Sequence, residues 1–239
     1  MGARISFQTT RWSIVRQAVG RDDIESRRAL AVLCEGYWYP IYAFIRRSGR
    51  SPQDAEDLTQ GFFELIIEKD VLASADPAKG RLRTFLLACV RNFVADAYDR
   101  EQAHKRGAGL VVSFDAAQAE ERYVAEPVDE LSPDRLFHRR WALTLVSDTL
   151  GWLREEWTND GKAELFEALR PFLGLSPKAE KSYEQLSLEL GMAEGTLKSH
   201  VHRLRERWRD ALFEKVAATL DRPTPREIQA ELSVLLECL

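Results

Sequence analysis

The densest run of groups able to contact nucleic acid lies near the C-terminus. From Lys198 to Arg209 the chain carries Lys198, His200, His202, Arg203, Arg205, Arg207 and Arg209 against a single acid, Glu206. Leu197, Val201, Leu204 and Trp208 recur every three or four residues, which predicts a helix with one apolar stripe and cationic remaining faces. Gly195, Thr196, Lys198 and Ser199, at the start of that helix, are placed to reach base edges or nearby phosphates. Arginines further along neutralise phosphates. His200 and His202 are two apart, point to different faces and make poor co-ligands for a metal.

A second concentration lies between Gly80 and Arg106. Arg81, Arg83, Arg91, Arg100, Lys105 and Arg106 supply charge, with Asn92, Tyr98 and His104 among them, and Leu82, Leu86, Cys89, Val90, Phe93 and Ala97 make a core stripe. Cations beside a planar ring and an amide can hold a phosphate backbone and accept unstacked bases. A third group is acidic: Asp54, Asp57, Gln60, Glu64 and Glu68 on or beside one face of a helix from Pro52 to about Lys69, whose core face is Ala55, Leu58, Phe62, Leu65 and Ile66. Such a face is solvated or docks on a basic partner. A metal or acid–base site from Asp54, Glu56 and Asp57 is weaker, since Glu56 points away and no histidine accompanies them.

The elements that must hold these groups are helical. Ser51-Pro52-Gln53-Asp54 reads as an N-cap, a proline at the first helical position and an acid in the first turn. Asp76-Pro77, Ser132-Pro133-Asp134 and Thr224-Pro225-Arg226-Glu227 repeat the device, the last with a capping-box glutamate. Leu110-Val111-Val112 is a lone β-like run. Tyr183 to Leu190 predicts a short helix, Gly191 a tight turn that needs positive φ, and Ala193-Glu194-Gly195-Thr196 the restart. A short helix, a glycine turn and a basic helix form the geometry that inserts one helix into the major groove.

Bulk properties agree. A chain of 239 residues with 45% apolar content suits one large domain or two small ones, and a net charge of -4 confines any nucleic-acid contact to local basic faces. Cys34, Cys89 and Cys238 form no CxxC pair, which fits a reducing cytoplasm. Neither a signal peptide nor a stretch of roughly 20 apolar residues is evident, so a soluble, cytoplasmic protein is expected. Between Gly107 and Leu131 large apolar residues are few, and Asp115, Glu120, Glu121, Glu126, Asp129 and Glu130 make an acidic linker.

In this order the pieces resemble bacterial RNA polymerase sigma factors of the extracytoplasmic-function (ECF) class. AEDLTQGFFELI at Ala55 to Ile66 and RTFLLACVRNFVADAYDRE at Arg83 to Glu101 are similar to sigma region two. SYEQLSLELGMAEGTLKSHVHRLRERW at Ser182 to Trp208 is similar to region four. The resemblance implies an all-α fold of two helical domains, region two and a helix-turn-helix region four, joined by the acidic linker. The expected division is 1–106 for region two, 107–131 for the linker, 132–221 for region four and 222–239 for a helical extension.

It also implies roles. Asp54, Asp57 and Gln60 would bind the clamp helices of core RNA polymerase. Arg91, Asn92, Asp96, Tyr98, Arg100, Lys105 and Arg106 would melt and capture the minus-ten element of promoter DNA. Gly195, Thr196, Lys198, Ser199, His202, Arg203, Arg205 and Arg207 would read the minus-thirty-five element while the domain packs on the polymerase flap. The linker would thread toward the polymerase active site and RNA exit path. No catalytic residue, cofactor, metal or membrane partner is expected. Control by an anti-sigma factor, a kinase or the extension is left open. Gly61 stands where many relatives carry an acid, and Phe85 where many carry tryptophan. The extension is expected to pack on the last domain. Two other classes fit parts of the pattern: a stand-alone helix-turn-helix regulator on duplex operators, and a metal-dependent nucleic-acid enzyme using the Asp54 to Asp57 carboxylates.

Overall fold

The computed structural model describes residues 15, 24–77, 80–103, 116–124, 131–174 and 181–239. Every regular element among them is helical: α1 (Ile24–Arg47), α2 (Pro52–Glu68), α3 (Leu82–Ala103), α4 (Ala116–Val124), α5 (Pro133–Asn159), α6 (Ala163–Leu169), α7 (Tyr183–Leu190), α8 (Glu194–Ala218) and α9 (Pro225–Leu236), with 3-10 turns at Val71–Ser74 and Arg170–Leu173. The β-like run at Leu110 lies outside the described residues.

Three of the four proline-marked starts open α-helices. The Ser51 hydroxyl accepts from the Asp54 N–H at 3.1 Å, the Ser132 hydroxyl from the Arg135 N–H at 3.3 Å, and Thr224 forms a full capping box with Glu227. Each satisfies an amide that the first turn leaves without an intrahelical partner. Asp76-Pro77 differs. Pro77 has 3-10 geometry and α3 opens only at Leu82.

The chain divides into two compact units, Met1–Thr144 with Val216–Leu239, and Leu145–Lys215. In the first, α1 supplies Tyr37, Ile41, Tyr42, Ala43 and Ile45, α2 supplies Phe62, α3 supplies Leu82 and Val90, and α5 supplies Leu136, Phe137 and Trp141, all essentially removed from solvent. Phe62 meets Phe93 edge-on with centroids 5.7 Å apart, which joins α2 to α3. Phe85 is half-buried. In the second unit Leu153, Phe166, Leu169, Leu186, Leu197, Val201 and Leu204 form the core.

Two findings alter the expected plan of the first unit. The acidic linker is not featureless. Its middle forms α4, with Ala119 buried and Glu120 turned onto α1. The Glu120 carboxylate accepts from Arg46 Nε at 2.9 Å, Arg46 Nη2 at 2.8 Å and the Tyr42 hydroxyl at 2.6 Å. Arg46 also lies 4.8 Å from the Tyr123 ring centroid. Glu120 therefore contributes an anchor rather than charge for a channel. The Arg46 hydrogen bonds, aided by Tyr42, hold its carboxyl below the ordinary value of 4.5.

A carboxylate with a depressed folded pKa stabilises fully above the unfolded value and loses that contribution as pH falls through the lowered one. Acidification through that window is expected to release α4 from α1. An NMR acid titration should show the amides of Ala119 to Tyr123 shifting together there, and Glu120→Gln should abolish that transition. Unchanged α4 amides across the window would show that Glu120 does not hold the helix.

The second finding is the position of the extension, which was expected on the last domain. Instead Glu231 of α9 is wholly buried and pairs with Arg83 and Arg81 at the start of α3. Arg83 also lies over the Trp141 ring, 5.0 Å from its centroid. Arg83 is 4% exposed, and burial pulls its pKa down despite the facing carboxylate. The two arginines were read as surface charge. Arg83 serves the interior, with Arg81 at its edge, because a helix meeting both α5 and α9 buries a wider stripe than its leucines mark.

Candidate nucleic-acid interface

On α3, residues 91, 94, 95 and 98 follow the i, i+3, i+4, i+7 spacing of one helix face. Arg91, Val94, Ala95 and Tyr98 line an open cavity of about 330 Å³ with Phe44, Ser48 and Arg50, at the end of α1 and the turn after it. Phe44, Val94 and Ala95 give it apolar walls. The Arg50 guanidinium lies 5.5 Å from the Tyr98 ring centroid, and Tyr98 is 56% exposed. The Arg50 carbonyl accepts from Arg46 Nη1, which steadies the turn, and Gly49 takes the φ of 92° that the turn requires. A planar ring beside one guanidinium, with a second arginine on the same apolar-walled lining, can hold one unstacked ring and its phosphate.

Of the residues singled out on α3, Arg91 and Tyr98 share this cavity. Arg91 also pairs with Asp134 at 2.8 Å, with both side chains about half exposed. In water such a pair is worth about 0–1 kcal/mol and yields readily to a phosphate. Asn92 and Asp96, four apart, are exposed on the adjoining face. The side chain of Arg100, and Lys105 and Arg106 entirely, lie outside the described residues. Phe44, Ser48 and Arg50 escape a reading of one helix at a time. The signal is the SGR run closing α1, meaningful only once α3 is known to pass beside it.

On α2, Asp57, Gln60 and Glu64 share a stripe at i, i+3, i+7 with Gly61. Asp57 is exposed, while Gln60 donates to Glu64 at 3.2 Å. Asp54 is part of the cap, its carboxylate accepting from the Ser51 hydroxyl at 2.6 Å. At Gly61 an added Cβ would meet the Phe93 ring at 3.5 Å, an ordinary contact, so the missing acid is not excluded by packing.

In the second unit the Ser182 hydroxyl and the Gln185 side chain complete a capping box for α7. Gly191 adopts φ 62°, and Ser187 donates to the Met192 carbonyl at 2.6 Å across the turn. Helix α8 buries Leu197, Val201, Leu204 and Trp208. Gly195, Thr196, Lys198, Ser199, His202 and Arg203 are all exposed. Lys198 holds Glu194 at 2.9 Å and sits 5.4 Å from the Tyr183 ring centroid. His202 approaches Glu206 at 3.5 Å.

Two of the cations expected at phosphates are engaged within the protein. Arg205 donates through Nε and Nη2 to the Phe172 carbonyl at 2.9 and 2.7 Å. Arg207 grips Glu156 at 3.0–3.2 Å and lies 4.4 Å from the Trp152 ring centroid. His200 stacks edge-on against Trp157, and burial beside Arg203 and Lys162 lowers its pKa. It is a neutral packing residue at pH 7.

The segment that carries the α2 stripe and the α3 cavity is similar to a known domain. Residues 39–104 match sigma-70 region 2. The match covers 66 of the 239 residues and supports a sigma-factor relationship for that segment. No curated protein and no solved structure matches the chain. Among the described residues no group of His, Cys, Asp and Glu could hold a metal ion, and no helix is long and apolar enough to cross a membrane.

Proposed function

We propose that this chain is a promoter-specificity subunit of bacterial RNA polymerase, a sigma factor of the ECF class. One coincidence carries the reading: the sigma region 2 match spans both the exposed acidic stripe of α2 and the ring-and-guanidinium cavity beside α3. In this reading residues 1–106 form region two, 107–131 the linker, 132–221 region four and 222–239 the extension. Asp57, Gln60 and Glu64 dock on the polymerase clamp, with Asp54 mainly capping its helix. Arg91, Asn92, Asp96, Tyr98, Arg100, Lys105 and Arg106, joined by Arg50, hold the displaced minus-ten strand. Lys198, Ser199, His202 and Arg203, with Gly195 and Thr196 at the helix start, read the minus-thirty-five duplex. Arg205 and Arg207 tie that helix to the rest of its unit through Phe172 and Glu156.

Extruding a base costs a few kcal/mol of stacking, so a site that catches it must return a comparable amount. Tyr98 is the ring that does so. Tyr98→Ala is expected to cost about 1–3 kcal/mol of strand affinity, and Tyr98→Phe to stay near wild type. Anisotropy of a labelled minus-ten single strand with the reconstituted holoenzyme measures both. Equal affinity for all three proteins would remove the cavity from the mechanism.

Run-off transcription with purified core polymerase on genomic fragments tests the whole reading, and core binding by Asp57→Ala tests the docking stripe. Discrete transcripts absent from core alone are expected, with weaker core association for Asp57→Ala. Tight binding of a palindromic duplex with no affinity for core would make the chain a stand-alone regulator and overturn the proposal.

A further inference from the structure

Within the second unit, one cation of α8 has a partner unlike those of its neighbours. Arg203 is exposed, and its Nη2 donates to His200 Nδ1 at 3.1 Å, one turn back on the same side of the helix. A guanidinium carries only donors, so Nδ1 must be the bare nitrogen of the ring and Nε2 the protonated one. The state of the ring fits that role. Burial first, then the cations Arg203 and Lys162 that face it, lower its pKa, so it is neutral at pH 7. Its orientation is set from the core. The imidazole meets Trp157 of α5 edge-on with centroids 6.3 Å apart. Trp157 in turn packs at 6.0 Å on Phe166 of α6, a fully buried residue.

The neighbouring cations are held differently. Lys198 pairs with Glu194 and Arg207 with Glu156, and each carboxylate offsets part of the charge it orients. Arg205 is turned onto the Phe172 carbonyl. Among the described residues no carboxylate forms an ion pair with Arg203. The neutral imidazole therefore steadies this guanidinium without neutralising it, and the remaining N–H groups are left for an anion. We propose that His200 is a positioning residue: its Nδ1 holds the fully charged Arg203 guanidinium ready for a phosphate of the duplex that α8 reads. The inference rests on the sigma-factor reading above, in which α8 contacts the minus-thirty-five duplex. Ordering a long side chain at the moment of binding weakens affinity, and the contact with His200 orders it beforehand.

The test uses the full-length protein with core polymerase and a labelled duplex from a promoter mapped by run-off transcription. The duplex spans the minus-thirty-five region and stops short of the minus-ten element. His200→Phe keeps a ring against Trp157 and removes the acceptor. His200→Asn gives up the ring and returns an oxygen near the position of Nδ1. The Phe variant is expected to bind roughly two- to tenfold more weakly, the effect of immobilising one such side chain. The Asn variant should stay within about twofold of wild type. Arg203→Ala should reduce the salt slope of binding by about 1, and adding His200→Phe to it should weaken binding no further. Full affinity in His200→Phe would overturn the positioning role, as would losses that multiply in the double variant. An Asn variant as weak as the Phe variant would show that the ring acts by packing alone. If wild-type holoenzyme binds this duplex no better than core alone, or Arg203→Ala binds as wild type, the reading of α8 fails and the positioning role with it.

Discussion

Glu231→Ala is expected to lower the thermal midpoint of the first unit by roughly 6–20 °C. The substitution leaves Arg83, 4% exposed, as a buried charge with no carboxylate. Breaking a buried pair from one side costs about 3–5 kcal/mol, because the remaining ion keeps its desolvation penalty. In a protein of this size each kcal/mol moves the midpoint by about 2–4 °C. Trp141 beneath the guanidinium recovers a little through its ring, and Arg81, 36% exposed, can turn to water.

A discriminating variant is Arg83→Met with Glu231→Leu, which removes both charges and keeps comparable volume. It should recover most of the loss, because apolar replacement of a whole buried pair is often neutral or better. Differential scanning calorimetry of the three proteins measures this. If Glu231→Ala melts within about 2 °C of wild type, the pair does not hold the extension.

The second large effect belongs to the other unit. Leu204 is fully buried on α8 between Val201 and Trp208. Leu204→Ala removes apolar contacts and leaves a cavity, at a cost of about 2–5 kcal/mol. A small unit holds only a modest margin of stability, so much of it should unfold at growth temperature. On the proposed reading, duplex binding at a minus-thirty-five element should then be lost, while capture of a minus-ten single strand by holoenzyme persists. Leu188→Ala is the control: Leu188 is 81% exposed, and its loss should move stability by less than about 0.5 kcal/mol. Urea unfolding followed by the Trp152, Trp157 and Trp208 fluorescence reports on this unit. A Leu204→Ala protein as stable as wild type would mean that α8 is not held by its apolar stripe.

The local grammar of this chain was legible in advance because its causes are local. Ser51, Ser132 and Thr224 cap helices since a hydroxyl three residues ahead of an amide reaches it through the helix turn itself. Gly191 turns the chain because it adopts a φ of 62°, a region that glycine enters without a Cβ penalty. Leu197, Val201, Leu204 and Trp208 declare their shared face by spacing, and all four are buried. Asp76-Pro77 misled for the same reason. It has the local form of a helix start, but nothing in the four residues says how far away the next α-helix opens.

Which polar groups face outward was a different kind of question, and only the tertiary structure decided it. Arg205 and Arg207 sit among outward-facing cations in one dimension, yet their partners lie 33 and 51 residues away. Glu120 counted as linker charge until Arg46, 74 residues earlier, claimed it. Arg83 and Glu231, 148 residues apart, look like surface charges in their own helices and meet in the core. An ion can stay buried only when its counter-charge arrives from elsewhere, and periodicity within one helix carries no information about that arrival. Hence the sequence by itself determined the helices, their caps and the apolar face of α8. The packing of α1, α3 and α9 decided which arginines are structural and which line the Arg50, Arg91 and Tyr98 cavity.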